Sequence, residues 1–182
     1  SKSTFGNWST QHINQIEPLY VAHQKQIAAY GYLQVDESPI KVQCEEVKGK
    51  THLGYMWVSR YPQSNQVLFT YQRGRTIQAM LSHLNGFKGI IQTDGYQSYE
   101  HLEKNPDIIL IACWAHTRRY FDQARDQDKE RSEKIKKKIQ SLYTIEEHAR
   151  ENKFNAEQRQ NYRQEFAIPI LNQIREYIDV NV

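Results

Sequence analysis

The chain has 182 residues, 38% of them hydrophobic, and a formal charge of +3. That suits one domain with a helical extension or two small lobes, and no apolar stretch approaches a membrane span. Two cysteines, Cys44 and Cys113, are too few for a disulfide scaffold and lack paired metal-binding spacing, which points to a reducing, cytoplasmic home. The mild charge permits a nucleic-acid partner without demanding one, since most basic residues are interleaved with acids. Ser1 to Thr10 shows no signal peptide, and Ser1-Lys2-Ser3, without an initiator Met, reads as an expression scar or a start within a longer protein.

Ile13, Ile16, Tyr20 and Ile27 recur at roughly helical spacing over Ser9 to Tyr30, with Ser9 or Thr10 as N-cap. Pro18 is expected to kink this helix or split it in two. Beyond Gly31 the pattern changes to strands: Tyr32 to Asp36, Leu53 to Tyr61 and Val67 to Tyr71, separated by turns at Lys48-Gly49-Lys50 and Pro62-Gln63-Ser64-Asn65. Three strands so close together predict an antiparallel meander. Ile77, Met80, Leu81 and Leu84 then mark a helix over Thr76 to Asn85 with one buried face, ended by Gly86.

Ile90-Ile91 and Ile108 to Ile111 are continuously apolar and flank a small helix around Tyr96 to Leu102. Such runs suit parallel strands covered on both faces and joined by crossovers. An antiparallel meander passing into parallel strand–helix units is the ribonuclease H-like plan: an α/β fold with a five-stranded mixed sheet flanked by helices. From His116 onward no strand is expected. Ile135, Ile139, Leu142 and Tyr143 form one helical stripe, and Tyr162, Phe166, Ile170 and Ile174 another, starting at Asn155 with Gln158 closing a capping box. Pro169 implies a kink or break in the second stripe, and Lys134 to Lys138 reads as a solvated helix face. The expected division is a helical lead-in over 1–30, a ribonuclease H-like core over 31–125 and a helical extension over 126–182.

Two aspartates stand out within this plan. Asp36 closes the first strand and Asp94 follows Gly89 to Thr93. On adjacent strands about 4.8 Å apart, the two carboxylates would repel at the sheet rim unless a cation joined them. A hard cation with oxygen ligands, Mg²⁺ or Mn²⁺, is the natural partner, and a pair of such ions is how many enzymes cut and rejoin phosphodiesters. Aspartate also caps turns where strands stop, so the pair alone leaves both roles open.

The surrounding blocks carry a resemblance. Leu33-Gln34-Val35-Asp36-Glu37-Ser38-Pro39, Lys48-Gly49-Lys50-Thr51 before Gly54-Tyr55-Met56-Trp57-Val58, Gln92-Thr93-Asp94-Gly95-Tyr96, and Cys113-Trp114-Ala115-His116-Thr117-Arg118-Arg119-Tyr120-Phe121 occur in series. The series resembles the catalytic region of DDE transposases of bacterial insertion sequences, specifically the insertion-sequence-66 family, from about Trp8 to Ile178. That resemblance implies an acidic triad holding two divalent metals and performing DNA strand cleavage and strand transfer at transposon ends, by multimers working on paired ends. Asp36 corresponds to the first acid and Asp94 to the second. The third, a glutamate in a block like Asn-Asn-x-Ala-Glu-Arg, has no counterpart before Val182, so the sequence reads as a fragment of low or absent activity alone.

Glu130, Glu146, Glu147, Glu151 and Glu165 lie in mixed-charge stretches that read as solvated faces. Glu37, next to Asp36, is expected on the opposite face in a structural role. His116 is either a group near the metal or phosphate or a helix cap. Arg118, Arg119, Lys48 and Lys50, with Arg73 and Arg75, are candidates for DNA phosphate contacts. Trp57 and Trp114 read as core within strand runs, and packing is the default role of Tyr96 and Tyr99. Two further readings stay open: a nuclease or Holliday-junction resolvase of the same fold, and a non-catalytic DNA-binding or assembly module.

Overall fold

The structure, a computed structural model, describes residues 2–44, 47 and 49–181. The chain divides into two compact units, Ser1–Cys113 and Trp114–Val182. The division falls earlier than the boundary expected at 125, because the helix opening at Trp114 packs with the helices that follow. Nor does the segment 1–30 stand apart, since its helix belongs to the first unit.

Helix α1 (Lys2–Ala28) runs through Pro18 without a break. Proline there removes one backbone donor, and its neighbours from Gln11 to Tyr20 are all exposed, so the freed carbonyl faces water. Only the last turns pack: Ile27 is buried in the core, and the Tyr20 hydroxyl donates to the Phe69 carbonyl at 2.8 Å. Three strands follow as the antiparallel meander: β1 (Tyr32–Gln43), β2 (Thr51–Tyr61) and β3 (Gln66–Gln72). Asn65, with φ of 54°, makes the β2–β3 turn, the left-handed position asparagine tolerates best after glycine.

Helix α2 (Ile77–His83) begins at Thr76, whose side chain accepts from the Ala79 N–H, and stops before Gly86 at φ 78°. Its buried face is Ala79, Met80, His83 and the following Leu84, whereas Leu81 points outward. Strands β4 (Gly89–Thr93) and β5 (Ile108–Ala112) are parallel to β1 and to each other, with a 3-10 helix (Gln97–Lys104) between them. The strand order is β3-β2-β1-β4-β5, the ribonuclease H-like arrangement of a five-stranded mixed sheet flanked by helices.

Alternation along the strands sends Leu33, Val35, Trp57 and Ile91 to one face. There they pack with Ile27, Met80, Leu84, Phe87, Tyr99 and Leu102. The opposite positions of β4 and β5 differ from expectation: Ile90, Ile109 and Ile111 are exposed, so these apolar runs are covered on one face. Continuous apolarity does not distinguish a doubly covered strand from one that presents isoleucines to solvent.

The second unit is helical throughout: α3 (Trp114–Gln123), α4 (Lys129–Glu151), α5 (Ala156–Tyr162) and α6 (Ile168–Asn181). Ile135, Ile139 and Ile174 form its buried centre, with Trp114, Phe121, Leu142 and Tyr143 packed against them. Trp114 is therefore the start of a helix, not part of a strand. Asn155 and Gln158 form the expected reciprocal capping box at 2.9 Å each way. Ahead of Pro169 the chain widens into a π-helical turn over Arg163–Ala167. That turn relieves the clash a proline ring makes with the carbonyl four residues earlier. Of the lysine run, Lys134 lies over the Tyr177 ring and Lys138 donates to Gln173, so the face is partly tied down.

Candidate active site

Two glycines set the rim of the sheet. Gly89, at φ 132°, lets its backbone meet that of Gly31; a Cβ there would lie 2.5 Å from the Gly31 carbonyl oxygen. This close approach fixes the β1–β4 register, in which Leu33 faces Ile91 and Gln34 faces Gln92. The Gln34 amide donates to Gln92 Oε1 at 2.9 Å, so both side chains share a face. Asp36 and Asp94 each lie two residues past that last paired position, Asp36 within β1 and Asp94 just after β4. The ladder between β1 and β4 stops at Gln34 and Gln92, and the two aspartates mark where the strands part.

Asp36 does not close its strand. β1 continues to Gln43 against β2, with Asp36 opposite Val58. Past Gln34 the other edge of β1 is open, which accommodates Pro39 inside the strand. Asp36 is exposed, and its Oδ1 accepts from the Glu37 N–H at 2.9 Å. Asp94 begins a tight turn in which its Oδ1 accepts from the Tyr96 N–H at 2.9 Å and Gly95 takes φ 84°. The Asp-Gly-Tyr block thus has a local cause, an Asx turn through a left-handed glycine.

Glu37 points into the core face, as alternation requires, and its side chain is 0% exposed. A buried carboxylate needs partners. Tyr99 donates its hydroxyl to Oε2 at 2.5 Å, and Arg75 donates Nε to Oε1. The Arg75 guanidinium also lies 3.5 Å over the Tyr96 ring, and its Nη2 is 3.7 Å from Asp94 Oδ2. Burial disfavours the Arg75 charge, yet Glu37 and then Asp94 hold its pKa above the ordinary value. The Tyr99 hydroxyl is pushed up by burial first, then by Glu37, Asp94 and Asp36. Arg75, Glu37 and Tyr99 are the site residues that sequence reasoning did not connect. The available signal was Glu37 itself, a carboxylate on a core-facing strand position with two arginines waiting in the β3–α2 loop.

Two carboxylates, Glu37 and Asp94, face one guanidinium here, and Asp36 stands exposed on the same strand as Glu37. Asp36 and Asp94 offer oxygen donors at an accessible edge, the donor chemistry a hard divalent cation takes. Among the described residues, no group of three or more His, Cys, Asp or Glu is arranged to hold a metal ion.

The remaining candidates are dispersed. Lys48 lies outside the described residues. Lys50 is exposed where β2 begins, and Arg73 is exposed beyond β3. Arg118 and Arg119 are exposed on α3, and His116 on the same helix has a buried Nδ1 without a hydrogen-bond partner. Glu146 is committed to Arg163 at 2.6 and 2.8 Å and to Arg159 at 3.1 Å, and the Arg163 hydrogen bonds hold its carboxyl below the ordinary range. Glu130, Glu147, Glu151 and Glu165 are exposed. No helix among the described residues is long and apolar enough to cross a membrane.

Strand order and rim chemistry together define a ribonuclease H-like protein with acidic groups gathered at the sheet edge. The chain belongs to the Transposase IS66 family, whose profile matches residues 1–182. Two relatives are uncharacterized proteins of Sinorhizobium fredii. One, y4qI, is 35% identical over 40% of this chain and 16% of its own length; the other, y4jD, is 24% identical over 96% of this chain and 36% of its own. The chain thus spans well under half the length of these relatives. A similar solved structure is a cryo-EM intasome of simian T-cell lymphotropic virus in complex with PP2A regulatory subunit B56 gamma. It is 17% identical, with a TM-score of 0.35, over 68% of this chain and 42% of that one.

Proposed function

We propose that this chain is the central catalytic region of a DDE transposase, and that Asp36 and Asp94 are two of its acidic ligands for Mg²⁺ or Mn²⁺. The observation that supports this reading is that each aspartate stands two residues past Gln34 and Gln92, the last paired positions of the parallel strands β1 and β4 in the ribonuclease H-like sheet. Such ions, when bound, activate an attacking oxygen and stabilise a leaving oxygen. The chain's own part is positioning. The Asx turn fixes the direction of Asp94, and the Glu37 N–H fixes that of Asp36. No side chain here needs to form a covalent intermediate, because in-line phosphoryl transfer depends on orientation and charge neutralisation. The substrate is DNA at transposon ends and target, with Lys50, Arg118 and Arg119 as phosphate contacts that carry no sequence information. The working form is a multimer acting on paired DNA ends.

The test is cleavage and strand transfer by the full-length protein on transposon-end DNA with Mn²⁺. Asp36→Asn and Asp94→Asn should each lower both steps by roughly a hundredfold or more. Cleavage without strand transfer would instead indicate a nuclease or resolvase. Activity untouched by either substitution would remove the metal reading.

A further inference from the structure

Arg75 sits unusually for a basic residue beside a proposed cation site. Its Nε is committed to Glu37, whose side chain has no solvent exposure, and its guanidinium rests on the Tyr96 ring. Anchored there, it stops at 3.7 Å from Asp94 Oδ2, beyond hydrogen-bond reach. The anchor, not Asp94, decides where the positive charge stands. Tyr99 in turn holds the other Glu37 oxygen at 2.5 Å, so the carboxylate cannot swing away.

We propose that Arg75 is the resident counter-cation of Asp94 and a positioning residue of the rim, and that Glu37 restrains it so that Asp94 stays available to a divalent ion. This rests on the reading of Asp36 and Asp94 as metal ligands. Two consequences have opposite signs. Without the Glu37 charge, the guanidinium is free to close on Asp94 as a bidentate pair, the geometry arginine and carboxylate prefer, and competes with the metal. Without the Arg75 charge, a divalent ion near Asp94 no longer meets a fixed cation within a few ångströms, and its binding tightens. A purely structural pair behaves otherwise, because losing either or both partners only loosens the site.

Mn²⁺ alone, titrated into the full chain and followed by the electron paramagnetic resonance signal of the free ion, separates these cases. Thermal unfolding confirms that each variant is folded. Glu37→Gln should weaken Mn²⁺ binding roughly three- to tenfold. Arg75→Gln leaves Glu37 buried without its cation, so the double variant Glu37→Gln/Arg75→Gln, which keeps two neutral amides, is the decisive arm. It should bind Mn²⁺ at least as tightly as the unsubstituted chain. A double variant as weak as Glu37→Gln alone would overturn the role of Arg75. If Asp94→Asn binds Mn²⁺ like the unsubstituted chain, the metal reading falls and this inference falls with it. If Asp94→Asn loses binding while the double variant fails to recover, the metal reading stands and the counter-cation role alone is refuted.

Discussion

Two polar clusters occupy the same sheet and have opposite characters. In the core, Ser59 Oγ lies 2.7 Å from His83 Nε2 and Thr70 Oγ1 lies 2.5 Å from His83 Nδ1. Taken by residue type alone, a serine beside a histidine suggests a nucleophile and its base. Yet Ser59 is 1% exposed and His83 9% exposed, burial lowers the His83 pKa to about 4, and no charge faces the imidazole from these two hydroxyls. It is a closed, neutral hydrogen-bond set. At the rim, by contrast, one guanidinium stands between Glu37 and, at 3.7 Å, Asp94, and a further carboxylate, Asp36, is open to solvent. Unbalanced charge at an accessible edge separates the rim from the core set, a difference that residue type alone does not reveal.

Substitutions can break or sharpen that contrast. The largest effect is expected from Gly89→Ala, which drives a Cβ into the Gly31 carbonyl at a left-handed φ and disturbs the register that both clusters share. Urea denaturation should show a loss on the order of 4 kcal/mol. Next comes pH. The folded His83 pKa lies below its unfolded value of 6.5, so the neutral imidazole contributes its full stability above pH 6.5. That contribution falls as the pH drops from 6.5 toward 4, by roughly 3 kcal/mol in total. The carboxylates titrate over part of the same range, so the readout is the difference from His83→Gln, whose stability curve should be flatter by that amount.

Tyr99→Phe removes the hydroxyl that donates to the buried Glu37. A cost of about 1–2 kcal/mol in the same denaturation assay is expected, since a charged acceptor loses one partner. The smallest effect separates function from stability. Asp36→Asn at the exposed rim should leave the melting temperature unchanged or slightly raised, within ~0.5 kcal/mol, because it relieves carboxylate repulsion. A marked loss of stability there would make Asp36 a structural cap after all.

Much of this was legible residue by residue where local chemistry governs. The Asn155–Gln158 capping box, the end of α2 before Gly86 and the strand meander follow from short-range rules, and the structure carries them. Asp36 was legible as an acid on β1 but not as a residue within the strand, because β1 runs on against β2 after β4 has ended. Pro18 and Pro169 show the same limit. One lies in an exposed helix that accommodates it, and the other follows a π-helical turn, outcomes that depend on surroundings rather than on proline itself. The Glu37–Arg75–Tyr99 group joins residues 38 and 62 positions apart and needed the register of three elements. Ser59 could have been suspected, since it shares the core-facing alternation of Trp57 on β2.

The central claim is most directly tested by soaking Mn²⁺ into crystals of the protein and recording anomalous diffraction. A manganese peak in contact with carboxylate oxygens of both Asp36 and Asp94 is expected, and its disappearance in Asp94→Asn crystals. Manganese bound elsewhere with none at the rim, or two aspartates too far apart to share an ion, would contradict it.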